Sequence, residues 1–305
     1  MIATARCVLF GLLPALLSSL CCAQSAFPMG GHRMVLKTPG GELPFGMALE
    51  GDGKGNLEVF LSNGDERIQV PEVVDDDPLV LRFPHYDSEL RLHVDEAATT
   101  ITGEWIKRRG KGKETRMRVA SRRNGPRFEL PNKAGDAVDW PNGRYRVQFA
   151  KSQDPAVGQF AISKDAMHNC QGTFLTTLGD YRFLAGNSNG QVMKLSCFDG
   201  AHAFLFHATR QKDDSMQGDF WSSDSWHEAW TATADAAAEL PDGWNLTKWR
   251  DDANLGSGKY RDLEGKPSRE RRASSSSSGR GVPTATTTAN TWRNYIVAMR
   301  TRDCR

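Results

Sequence analysis

Between Cys170 and Trp230 the chain repeats one physical signature: short runs of strand-forming residues, each ended by a tight turn. The stretches CQGTFLTTLGDYRFLAG, NSNGQVMKLSCFDGAHAFLFHAT and RQKDDSMQGDFWSSDSWHEAW are rich in Phe, Leu, Val, Thr and Tyr. Leu-Gly-Asp, Asn-Ser-Asn-Gly, Phe-Asp-Gly and Lys-Asp-Asp punctuate them. Gly tolerates positive φ, and Asn or Asp bonds its own backbone, so these are turns with a mechanism. Roughly four or five short strands in that order make an antiparallel meander and exclude a parallel α/β sheet, which needs helices between strands.

The same pattern extends upstream. Strands are expected at Leu43–Leu49, Leu57–Leu61, Glu66–Val70, Leu79–Phe83, Glu89–Val94, Ile101–Arg108 and Thr115–Ala120. The Asn63-Gly64 pair signals a hairpin whose pairing can slip by a residue. Residues 121–143, rich in Pro, Gly, Asn and Asp, read as a connecting loop, and Arg144–Phe149 opens a second set. Leu79–Arg108 and Met193–Ala232 share a scheme of strand, polar bend, strand, charged turn and a Gly-acid-aromatic start, at Gly103-Glu-Trp105 and Gly218-Asp-Phe-Trp221. Such internal similarity predicts two β units packed together over residues 40–235, as in a closed barrel of about eight to ten strands. A β-sandwich is the alternative.

Alternation assigns faces within these strands. His202, Phe204 and Phe206 share one face; Trp226, Glu228 and Trp230 share another, opposite His227. A ligand rim built from His202, Trp221, Trp226 and Glu228 is the functional reading, and ordinary aromatic packing of a barrel is the bland one. His202, His207 and His227 lack the spacing of a metal site, so neither metal nor cofactor is expected. Cys170 and Cys197 both fall in strand text. A bridge between them would contribute roughly 3–4 kcal/mol in the chain-entropy model, and two buried thiols are the other reading.

Residues 1–25 read as an export signal: Arg6, the apolar run Cys7–Leu17, then small residues. The run is too short to span a membrane, and Cys21-Cys22 leaves room for a lipid anchor. The expected location is therefore periplasmic or secreted. A formal net charge of +2 gives no global field toward nucleic acid. The basic run Lys107–Lys113 lacks interleaved aromatics for base stacking.

The tail changes character. Residues 236–267 read as a linker followed by the hairpin Tyr260–Pro267, and 268–305 as a disordered, Ser/Thr-rich C-terminal tail without periodicity. If Ser274–Ser278 use TCN codons, a shifted reading frame encodes a run of apolar residues. It then permits Trp-Cys-Pro-Asn-Cys. Asp262-Leu-Glu-Gly-Lys-Pro267 resembles the opening hairpin of exported TlpA-like redoxins, thioredoxin-fold thiol–disulfide oxidoreductases. Phe83–Leu90, Gly172–Gly186, Leu195–Phe206 and Gly218–Trp230 resemble the β-rich domain that precedes the redoxin domain in some members. That resemblance implies a disulfide reductase with an envelope thiol–disulfide partner, truncated by a frameshift near Pro267 before its Cys-x-x-Cys site. It assigns no catalytic residue here, since Cys304 stands alone after that point. Apart from the resemblance, the residues read as a secreted β-barrel binding module for a small ligand or protein partner.

Overall fold

The computed structural model describes residues 27–95, 97, 99–131, 139–163 and 168–243. The export signal, the hairpin at 260–267 and the segment 268–305 lie outside the described residues. The strands fall into two groups of nine. The first comprises β1 (Gly30–Thr38), β2 (Gly41–Gly51), β3 (Leu57–Asn63), β4 (Glu66–Gln69), β5 (Glu72–Val74), β6 (Leu79–Phe83), β7 (Ser88–Val94), β8 (Ile101–Arg108) and β9 (Glu114–Arg122). The second comprises β10 (Gly143–Phe149), β11 (Ala156–Ile162), β12 (Asn169–Thr176), β13 (Gly179–Asp180), β14 (Leu184–Ser188), β15 (Val192–Phe198), β16 (Ala203–Arg210), β17 (Met216–Ser222) and β18 (Trp226–Ala234).

Each group is an antiparallel meander whose first strand returns to pair with its last, β1 with β9 and β10 with β18. In the second group β11 also pairs with β12, which closes an eight-stranded barrel; β13 is a short flap on β12. The first group stays open. Its order is β4-β3-β2-β1-β9-β8-β7-β6-β5, a curled sheet whose two edges are consecutive in sequence. The difference is one pairing: β12 bonds β14 across the barrel seam, whereas β3 is hydrogen-bonded only to β2 and β4. The internal repeat read from the sequence is thus a nine-strand offset, with β6, β7 and β8 answering to β15, β16 and β17. Gly103 and Gly218 occupy equivalent places in it. At both, an added Cβ would run into the carbonyl of the neighbouring strand, at Arg91 and His207 respectively.

Alternation sorts the side chains into two cores. The curled sheet buries Met34, Leu36, Leu43, Phe45, Leu61, Leu81, Leu90 and Trp105, and the barrel buries Phe149, Phe174, Phe206, Phe220 and Trp230. Three barrel residues belong to the other core: Phe198, Ala203 and Leu205 project outward from the β15–β16 corner into the curled sheet. Phe198 meets Phe45 at 4.6 Å and Trp105 edge-on at 5.5 Å between ring centroids. Asn63 acts as a surrogate strand for Phe198, accepting from its N–H at 3.0 Å and donating to its carbonyl at 3.1 Å. Within the corner, Gly200 has φ of 85° and lies so close to the Phe83 ring that no side chain fits. Buried apolar and hydrogen-bonded contacts of this kind hold the two sheets as one body.

Candidate functional site

Of the four residues expected to form a rim, three lie at one end of the barrel and Trp221 does not join them. Trp226 and Glu228 sit together at the barrel mouth: the Trp226 indole N–H donates to Glu228 Oε1 at 2.9 Å, and the Lys151 amide donates to Oε2 at 3.1 Å. Lys151 Nζ lies 4.6 Å over the Trp226 ring. His202 lies at the same end on the β15–β16 turn, 3.0 Å from Asp199 Oδ2. Trp221 points away from the barrel, between His207 and His227, with both ring centroids 5.0 Å from its own. Beneath the mouth, Phe149, Phe174, Tyr181, Phe206 and Phe220 pack ring on ring. Phe206 stacks on Phe174 at 4.5 Å and on Phe220 at 4.3 Å.

His202 stands apart from His207 and His227, which flank Trp221. His227 bonds Asp219 at 2.7 Å, and His202 bonds Asp199. Among the described residues, no group of three or more His, Cys, Asp or Glu is arranged to hold a metal ion. Burial, with Lys194 beside it, pushes the His207 imidazole down to about 4, Asp219 opposing. A depressed folded pKa contributes stability that is full above the unfolded value of about 6.5 and lost as pH falls toward 4. Urea denaturation at pH 7 and pH 4.5 should therefore show a smaller loss on acidification in His207→Gln than in the wild type. Equal losses in both would remove His207 from the acid response.

Cys170 and Cys197 are buried, free thiols, the second of the two readings open to them. Strand β14 lies between β12 and β15, so the two backbones are about 9–10 Å apart at a spacing of about 4.8 Å per strand. The register worsens the fit, because Cys170 is level with Gly186 and Leu195 rather than with Cys197. A disulfide needs Cα atoms within about 7 Å. Burial raises both thiol pKa values well above the usual range, the opposite of what a redox thiol requires. Cys170 Sγ instead lies 3.8 Å from Met193 Sδ.

A cavity of about 580 Å³ opens where β1, β2 and the β3–β4 turn meet β12 and β14. Much of its lining is apolar or glycine, including Pro44, Phe45, Met47, Ala185, Gly31 and Gly125, and Cys170 contributes to its wall. Its charged groups are Arg33, Arg127 and Asp65. Arg127 spans the junction: Nε donates to Ser196 Oγ at 2.9 Å, and one Nη donates to Asn63 Oδ1 at 3.0 Å and to the Ser196 carbonyl at 3.2 Å. Arg33 donates to the Arg127 carbonyl at 2.9 Å, and its Nε is buried without a partner. Burial pulls the Arg127 guanidinium down to about 10, with Arg33 adding to the effect. Sequence reasoning missed both arginines. Arg33 precedes the expected boundary at residue 40, and Arg127 falls in text read as a connecting loop. The alternating Arg127-Phe128-Glu129-Leu130 was the available signal, since Phe128 is buried and Glu129 exposed.

No protein-family model matches the chain. No curated protein matches it either. Among solved structures, it is similar to a protein of unknown function from the DUF3598 family of Nostoc punctiforme. That match has 11% identity and a TM-score of 0.23, covering 67% of this chain and 94% of the other. It is also similar to a putative outer membrane protein of Bacteroides fragilis, at 10% identity and a TM-score of 0.22, covering 67% and 95%. Scores this low carry no argument about function. The TlpA-like resemblance is corrected by the structure. The described residues form strands and one 3-10 turn, Pro84–Tyr86, with no thioredoxin-type helices. Their only cysteines are the two inert thiols on separate strands. Thioredoxin-like, redoxin and disulfide-reductase descriptions do not apply. The strand-and-turn segments that suggested them are those any antiparallel meander produces.

Proposed function

We propose that this chain is a binding module that takes a small ligand into the cleft between its curled sheet and its barrel. The cavity of about 580 Å³ carries the reading. It falls within the roughly 300–1,000 Å³ of ligand sites, and its lining sets apolar residues and glycines beside polar ones such as His32, Ser62, Asn124 and the two arginines. The aromatic filling of the barrel supports the cleft over the barrel interior as the site. An exported location belongs to the same reading, on the strength of residues 1–25 alone.

Gly31 and Gly125 supply the test. Both line the cavity, and a Cβ added at either meets nothing within 4 Å, so a large side chain should fill space without disturbing the fold. Thermal-shift screening of a small-metabolite set should return compounds that raise the wild-type Tm. Their effect should be lost in Gly31→Trp or Gly125→Trp, with the unliganded Tm of each variant within a few degrees of wild type. Compounds that stabilise the wild type and both variants equally would place binding elsewhere.

A further inference from the structure

We propose that the ligand of this cavity carries an oxyanion headgroup, a carboxylate or a phosphate monoester, held by Arg33 and Arg127. The inference rests on the binding-module reading and adds the chemistry of the occupant. Two guanidinium groups line the cavity, and among the described residues neither makes an ion pair with a carboxylate. Every hydrogen bond that Arg127 donates goes to a neutral acceptor: a hydroxyl, an amide oxygen and a backbone carbonyl. Arg33 spends one Nη on another carbonyl and leaves its Nε buried without a partner.

A buried cation without a counter-charge is costly, and proteins ordinarily pair it or use it. Most other buried or half-buried charges in this molecule are paired. Glu89 has Arg91 and Arg108, and Asp199 has Arg182 and His202. The two cavity arginines are not, and they differ from half-buried Lys107, which is spent on the Ala201 carbonyl, in facing a cavity together. Asp65 lines the same cavity, so two guanidinium groups stand against a single carboxylate there. Glu66, next along the chain, accepts from Asn63 and bonds neither arginine, although its charge acts favourably on Arg127 from a distance. Guanidinium donors match carboxylate and phosphate oxygens in geometry, and such charge-assisted bonds are about twice as strong as neutral ones. The apolar remainder of the lining includes Pro44, Ala48 and Ala185, which suit a hydrocarbon body attached to that head.

Titration calorimetry with octanoate, octyl phosphate and octanamide tests this on the whole protein at pH 7.5 and low salt. The two anions should bind the wild type at least ten-fold more tightly than the neutral amide, and the tighter of them identifies the headgroup. Arg33→Gln should weaken the anions ten-fold or more while leaving octanamide unchanged, and Arg33→Lys should recover part of the loss. Gly31→Trp should abolish all three. If Arg33→Gln does not fold, the anion-over-amide ratio of the wild type decides alone. Octanamide binding as tightly as octanoate overturns the headgroup assignment and leaves the cavity reading standing. Binding of none of the probes overturns the headgroup assignment too. The cavity reading falls with it only if Gly31→Trp also spares every thermal-shift hit.

Discussion

Trp105→Ala should cost about 4 kcal/mol of folding stability, the largest loss expected from a single substitution in this molecule. Trp105 is fully buried, and it stands where the curled sheet receives the corner of the barrel. Truncation removes the ring that Phe198 meets edge-on at 5.5 Å. It also removes the indole N–H that donates to the Gly200 carbonyl at 3.0 Å. The void cannot collapse easily, because its walls come from two sheets whose strands are fixed by their own ladders. A transfer loss and a cavity loss therefore add. Trp226 is the control: it is 45% exposed at the barrel mouth, so Trp226→Ala should cost less than about 1 kcal/mol. Equilibrium urea denaturation measures both. A loss below about 1.5 kcal/mol at Trp105 would mean that the two sheets do not depend on this contact.

The curled sheet and the barrel were legible to different degrees. Leu79–Phe83 and Ile101–Arg108 are strands with the very bounds the sequence predicts, because burial alternates along Leu79–Phe83 and charged turns flank both. β1 was missed because Met34, Val35 and Leu36 are buried in succession. β11 was missed for the same reason at Ala156, Val157 and Gly158. A strand covered on both faces has no period to read. The turn at Asn63-Gly64 slips by one: Asn63 pairs with Glu66, so Gly64 and Asp65 form its centre. That slip turns Asn63 inward, where it bonds Phe198.

The cavity was not legible at all, and the reason is distance along the chain. Arg127 reaches Asn63 and Ser196 across 64 and 69 residues, and the short alternation around it shows a strand-like segment without showing what that segment meets. The expected rim residues stand out because aromatic residues in strands are conspicuous, yet conspicuousness reports packing as readily as binding. Phe204 and Trp230 illustrate this: both were on faces expected to line a site, and both pack against the barrel core. What the sequence could not supply was which face of one sheet meets which face of the other. That meeting creates both the cavity and the buried corner at Asp199.

Asp199→Ala should cost about 3 kcal/mol at pH 7, and the cost should shrink in acid. The Asp199 side chain is only 2% exposed, and it organises the β15–β16 corner. Oδ1 accepts from the amides of Ala201 and His202 at 2.9 and 2.6 Å; Oδ2 accepts from Arg182 Nε at 2.8 Å and His202 Nδ1 at 3.0 Å. Burial alone would raise the carboxyl pKa, but the bond and charge of His202 and the charge of Arg182 more than offset it, holding it well below the ordinary range. A carboxylate depressed in the folded state contributes stability that is present above its unfolded pKa of about 3.9. That stability is lost as pH falls toward the folded value. The gap between wild type and Asp199→Ala should therefore be full at pH 7 and narrower by about 1 kcal/mol at pH 3. Asp199→Asn should fall between them, because its carbonyl can still receive the two amides while its NH2 opposes the donors of Arg182 and His202. Guanidinium chloride denaturation of the three proteins across pH 3–7 reads all of this directly. A gap that stays constant down to pH 3 would show that the corner is held by its backbone and by Phe198 and Leu205, with the charge of Asp199 contributing nothing.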